Sequence, residues 1–440
     1  MVAKSVVCVF ALSLAGTVSG GTVTFHKDVE PVLQKHCQTC HRPGEVGPMP
    51  LLTYAEARPW AKSIKQATAT GRMPPWGAAQ GAPHAFGNDP RLSQDELAVL
   101  RAWADGGAPE GNPKDAPKPK QWVEGWDMGE PDRVFQPSSP YKVPAKGTVE
   151  YTYYIIPNAF KADTWVKGVE IRPEARRVVH HVIAYVRSPK SSWLKDYPAH
   201  TYFVPDHRSR EEKPREEKAH EWREFLVGYA PGYRSSVWQS GRAKFVAAGS
   251  DLVYEIHFTT NGTEFEDKTL VGMQFAKEPP AERVMTNAVM NPRITIPPGA
   301  DDHKEEAAIE MLQPAKLVAL NPHMHLRGKA FEYRLTYPDG RQETILSVPK
   351  YDFNWQLNYE FSKPLELPKG TKIECTAWWD NSPNNPYNPD PKVEVKWGDQ
   401  SWDEMMAGFF EMAFDRNVDP STLYRYVRRN TPQQSASAVR

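Results

Sequence analysis

The chain has 440 residues, 40% of them hydrophobic, with 14 Trp, 18 Tyr and 17 Phe; this excludes wholesale disorder and supplies core material for about two to four domains. Lysine plus arginine and aspartate plus glutamate each number 54, so no polyanion-binding surface is marked and nucleic acid is not an expected partner. Four cysteines are too few for a disulfide-built scaffold, and 41 prolines with 28 glycines favour turns and short strands over long helices.

Residues 1–20 carry Lys4, an apolar run over 5–15 and a small-residue end at Val18-Ser19-Gly20, the three parts of a secretory signal peptide. The apolar run is too short to span a bilayer, and no later stretch is long enough, so the sequence predicts a periplasmic or secreted protein with no transmembrane segment. Residues 22–108 predict a small, mostly helical domain with helices over 25–36, 54–70 and 93–104, the last capped by Ser93 with Glu96 three residues on. A proline- and lysine-rich linker follows over 109–124.

From there the texture is strand-rich. One block, 125–275, has strands expected over 149–156, 165–171, 178–186, 244–246 and 252–260. A second, 276–425, has them over 316–320, 331–337, 342–348, 355–361, 372–379 and 408–413. Each block holds enough strands for its own antiparallel sandwich. Residues 199–222 read as a charged excursion from the first block, and 426–440 as a flexible tail.

Cys37-Gln38-Thr39-Cys40-His41 is a C-x-x-C-H haem-attachment pattern: two thiols to form thioethers and a histidine to serve as proximal iron ligand. The competing reading is a redox dithiol or a simple disulfide. Met73, in the proline-bracketed Gly71-Arg72-Met73-Pro74-Pro75-Trp76, is the favoured sixth ligand, a thioether that raises the reduction potential. Met49 is a rival, and His26 and His36 are weaker ones. This part resembles short c-type cytochrome domains.

The strand-rich part carries three histidine groups: His180-His181, His257 and His323-Met324-His325. In a regular strand His323 and His325 share a face, whereas His180 and His181 point to opposite faces, so a metal common to that pair requires a twist or bulge, or rotamers that fold back. Nitrogen-rich sites suit copper or zinc, and a thioether favours Cu(I). Spacing alone does not say which imidazoles meet.

With these groups in order, residues 125–425 resemble the copper type II, ascorbate-dependent monooxygenases, the peptidylglycine- and dopamine-hydroxylating enzymes. The resemblance implies two jelly-roll-like β-sandwich subdomains, each holding one copper across a solvent-filled cleft. It implies an electron-storing copper on His180, His181 and His257. It also implies an oxygen-binding copper on His323, His325 and Met405, with Met406 as the adjacent alternative.

Departures narrow the substrate. Asn321, Ala407 and Phe409 stand where the peptide enzymes use Arg, Asn and Tyr, so the carboxylate clamp is missing. Arg327 reads as a surface or supporting residue rather than a substrate acid binder. Cys375 is the lone cysteine of this region, so packing must replace the animal enzymes' disulfides.

The whole reads as a copper-dependent monooxygenase with two copper ions and one covalent haem c. Its substrates are O2 and a small apolar or aromatic molecule, and its electrons come through the haem from a small-molecule reductant or a periplasmic donor protein. The alternative is a non-hydroxylating copper and haem electron-transfer or copper-handling protein; a binding module with relic metal sites is a third reading.

Overall fold

Helix-forming and strand-forming patterns divide the chain into two parts, and the computed structural model follows that division. It describes residues 22–122, 125–205, 223–230, 235–238 and 241–427. The expected signal peptide, most of the 199–222 excursion and most of the tail lie outside the described residues.

The helical part begins with a wide turn, Phe25–Val29, continuing into the helix Glu30–His36. The single helix expected over 54–70 is broken: Tyr54–Ala57 and Ala61–Ala69 flank a 3-10 turn at Arg58–Trp60. Pro59 cannot donate an i→i−4 bond, which accounts for the break. The helix Gln94–Asp105 starts at a reciprocal Ser93/Glu96 capping box. Phe25, Leu33, Leu51, Leu100 and Trp103 are fully or almost fully buried and form the core of this part.

Strands dominate the rest. In the first block the core is shared by Thr164–Arg172 and Leu270–Phe275 on one side and by Val179–Arg187, Asp251–Phe258 and Thr152–Ile156 on the other. In the second, a five-stranded sheet centred on Lys372–Trp379 packs against strands that include Ala315–His323, Tyr359–Leu367 and Ala407–Asp415.

The two blocks are not separate sheets. Strand Glu282–Met290 pairs along its whole length with Ala407–Asp415 and also meets Arg223–Tyr229 at Phe225 and Arg242–Val246 in parallel. One 13-stranded sheet path therefore runs through both. At this junction the fully buried Lys244 donates to the carbonyls of Phe225 (2.8 Å) and Leu226 (2.9 Å) and to Thr286 Oγ1 (2.7 Å). Glu411 lies 3.6 Å from the same ammonium. Burial pulls the Lys244 pKa down, opposed by Glu411 and Glu224. The shared sheet and the buried polar seam join the two blocks.

Two details differ from expectation. The strand placed at 355–361 starts only at Tyr359. The segment placed in the tail is ordered at its start, where Tyr424–Tyr426 pairs with His303–Met311.

Candidate metal centres

The doublet at 180–181 solves its facing problem by a bulge. Val179 pairs with Phe258 and His181 with His257, so the register shifts by one and His180 is the extra residue. A bulge bends the strand and re-aims its side chains. The His180 and His181 Nδ1 atoms lie 3.1 Å apart, and the three imidazoles of His180, His181 and His257 offer ligand atoms all within 4.8 Å of one another. All three residues are buried.

Burial, with the neighbouring imidazoles, holds these rings in the neutral form. The pKa of His180 is pushed down to about 4 and that of His257 to about 3, chiefly by desolvation, while His181 is pushed well below the ordinary value. His257 Nδ1 and His180 Nε2 are buried with no hydrogen-bond partner. Buried, neutral, unpartnered nitrogens converging on one point are costly to a fold unless something occupies that point, and a cation suits them.

The second set sits at the end of Ala315–His323. Its partner strand pairs Ala407 with His323 at the point where both strands stop, two residues before His325 on one side and two after Met405 on the other. The His323 and His325 rings are 5.1 Å apart. His323 Nδ1 donates to Gln356 Oε1 (2.7 Å) and His325 Nδ1 to the Asp403 carbonyl (3.2 Å). With Nδ1 protonated, each Nε2 carries the free lone pair, and that of His325 is buried without a partner. Desolvation pushes the His323 pKa down to about 4 and keeps His325 well below the ordinary value. Met405 is half-buried and borders a cavity of about 1730 Å3, together with His323, Asn321 and Phe409; Met406 is fully buried in the core.

Several supporting residues escaped sequence reasoning. Glu404, fully buried, accepts from the backbone N–H groups of His325 (2.9 Å) and Arg327 (2.7 Å) and from Trp379 Nε1 (2.9 Å). It thereby ties the H-x-H turn to the residue before Met405, and desolvation raises its carboxyl pKa to about 7. Gln356 lies in the turn that replaces the start of an expected strand, and Asn321 Nδ2 donates to the Gln356 and Leu357 carbonyls of that turn. Arg327 is not on the surface: it is 1% exposed, donating from Nε to Asn381 and from Nη1 to the Trp402 carbonyl. It braces the site and is not free to hold a substrate acid.

The two sets are neighbours. The Tyr151 ring is 4.5 Å from His257 and 6.4 Å from His325, and Phe353 is 4.9 Å from His180 and 6.1 Å from His325. Where the resemblance implies a solvent-filled cleft between the sets, two aromatic rings contact both. The cavity opens beside them and also touches His181 and Tyr151.

In the helical part, Cys37 follows the helix Glu30–His36, and the Cys40 and His41 N–H groups donate back to the Cys37 carbonyl. Neither thiol is in a disulfide. The pKa of Cys37 is pushed up to about 12 by burial and by Cys40. His41 Nδ1 donates to the Met49 carbonyl (3.1 Å), which leaves Nε2 as its ligand atom. Gly47 is required beside it, since a Cβ would come within 2.5 Å of the Cys40 oxygen and 2.8 Å of His41 Nδ1.

Among the rival sixth ligands, Met49 packs into the N-terminal core. His36 is committed through both nitrogens, to the Pro90 carbonyl and Glu96; His26 Nδ1 bonds Glu30, with Glu110 3.5 Å from its Nε2. Met73 is half-buried in the turn after Ala61–Ala69.

No known family model matches the chain, and no curated protein matches it either. Among solved structures, it is similar to the infectious bursal disease virus Gx strain structure at 9% identity over 68% of this chain and 77% of that one, with a TM-score of 0.19. It is similar to allantoicase from Saccharomyces cerevisiae at 10% identity (55% and 80% covered, TM-score 0.17) and to PNGF-II at 7% (68% and 64%, 0.22). Superpositions this loose define no common fold. Among the described residues no helix is long and apolar enough to cross a membrane.

Proposed function

We propose that this chain is a periplasmic or secreted copper-binding redox protein that exchanges electrons with its own c-type haem. The observation that carries the reading is the convergence of His180, His181 and His257, three buried neutral imidazoles with ligand atoms within 4.8 Å. Zinc fits such nitrogens equally well but has no redox chemistry, and the fused C-x-x-C-H turn argues for an electron-carrying ion. Copper supplies one-electron exchange when bound. Cys37, Cys40 and His41 suit covalent haem attachment, with two thiols not joined in a disulfide and a histidine tied through Nδ1. Met73 is the proposed sixth ligand. Anaerobic metal titration with elemental analysis tests the copper reading: we expect two coppers per wild-type chain and one in His257→Ala. A wild type that takes up no copper, or intact mass lacking one haem, refutes it.

A second reading, oxidation of a small apolar or aromatic molecule with O2, is favoured by one further observation. The cavity of about 1730 Å3 borders the half-buried Met405 and His323 and is walled by Phe225, Phe409, Tyr185 and Trp193. A carrier needs no such chamber. Here Gln356 and the Asp403 carbonyl hold the two imidazole tautomers, Met405 offers a soft donor, and the aromatic wall orients an apolar substrate and excludes water. Substrate-dependent O2 uptake by the reduced protein, with hydroxylated product identified by mass, tests this reading against the carrier.

A further inference from the structure

The helical part does not hang from its linker; it is docked. Glu45, in the loop after the C-x-x-C-H motif, takes Arg42 Nη2 at 2.8 Å, and Arg176 of the first strand block donates to both of its carboxylate oxygens. The pair is mostly buried, with side-chain exposures of 16% for Glu45 and 22% for Arg176. Arg42 also lies over the Trp122 ring at 4.1 Å, which fixes the linker to the same loop.

Arg176 belongs to the turn that feeds the bulged strand Val179–Arg187. That turn is itself held: the Val178 N–H donates to the Ala175 carbonyl, and the Ala175 N–H to the fully buried Asp267 (2.9 Å). Tyr229 is buried beside the strand, cross-paired with Val182. Three residues of chain thus separate Arg176 from His180.

We propose that the Glu45–Arg176 pair is a docking latch that holds the haem-attachment turn against the strand of His180 and His181, so that the haem is the internal one-electron donor to that histidine set. The inference rests on the copper and haem reading above. One electron leaves ferrous haem iron, which becomes ferric, and cupric ion at the set becomes cuprous; no bond forms or breaks and no proton moves. An external one-electron reductant, such as an enediol small molecule, restores the ferrous haem.

The test uses the full chain carrying Glu45→Arg, Arg176→Glu, or both. In the copper-free chain, each single change brings like charges together. Amide hydrogen exchange over 174–178 should then rise about tenfold, the weight of one charge-assisted bonded pair, and the double swap, which re-pairs the latch but opposes Arg42, should restore protection in part. In the copper- and haem-loaded chain under anaerobic flow, the concentration-independent oxidation of ferrous haem should slow about tenfold or more in each single variant and recover in the swap.

Single variants that match wild type in both readouts, with haem and copper content intact, overturn the latch alone. Loosened docking with unchanged haem oxidation overturns its role in electron transfer. A wild type that binds neither copper nor haem overturns the functional reading and the latch with it.

Discussion

Two adjacent methionines sit in different surroundings, and this separates a ligand from a core filler. Met406 is fully buried in the second core, whereas Met405 is half-buried on the wall of the cavity that His323 also borders. Met406→Ala removes a whole buried side chain and leaves a cavity, which costs about 2–5 kcal/mol. Met405→Ala loses partial burial only, about 1 kcal/mol or less. Urea unfolding of the metal-free chain should therefore rank the two variants by at least the difference between these ranges. X-ray absorption on the reduced, copper-loaded protein should rank them the other way, with copper–sulfur scattering lost in Met405→Ala and kept in Met406→Ala. Sulfur scattering that survives Met405→Ala and disappears in Met406→Ala would refute the assignment. A nitrogen-only shell in the reduced wild type would remove the thioether altogether.

Glu404→Gln turns an acceptor toward a donor: one amide oxygen can serve His325 and Trp379, but the amide NH2 then faces the Arg327 N–H. This should cost about 1–3 kcal/mol and loosen the H-x-H turn, seen as faster amide exchange at 325–327; unchanged exchange would show that the carboxylate does not hold that turn. Lys244→Met leaves the half-buried Glu411 and two buried carbonyls without their cation, and should lower unfolding free energy by about 3 kcal/mol in denaturant titration. No loss would mean that the shared strand alone joins the blocks.

The metal-free chain should lose stability on acidification. His180, His257 and His323 have folded pKa values near 4, 3 and 4, below the ordinary 6.5. The unfolded chain therefore binds more protons between those limits, and stability present above pH 6.5 falls as pH drops toward 4. A midpoint temperature that is flat across that window would contradict the burial of neutral imidazoles.

Elements governed by local rules are legible in the sequence. The Ser93/Glu96 box caps the helix where expected, and the strands Gln342–Val348 and Lys372–Trp379 match their predicted limits residue for residue. That the 180–181 doublet needs a twist, a bulge or folded-back rotamers to share a metal follows from side-chain alternation alone, and of these the strand has the bulge.

What depends on distant partners is not legible. Asp352 accepts from Asn354 and Trp355, and this turn delays the strand to Tyr359 and brings Phe353 and Gln356 to the histidines. No periodicity in Glu282–Met290 reveals that it pairs with strands of both blocks. Glu404 reads as one more acid beside Asp403, because only its burial makes it a clamp.

The extra residue at His180 makes this centre a matter of counting rather than of chemistry. In an uninterrupted ladder, neighbouring residues face apart, so inserting one residue opposite the bulge, between His257 and Phe258, would close the ladder and turn an imidazole to the far side while leaving every histidine in the chain. Conversely, a single inserted residue in any strand whose neighbour presents a histidine creates the geometric beginnings of such a cluster. Sites of this kind are gained and lost by changes in chain length, and a comparison that scores only substitutions passes over the event that made them.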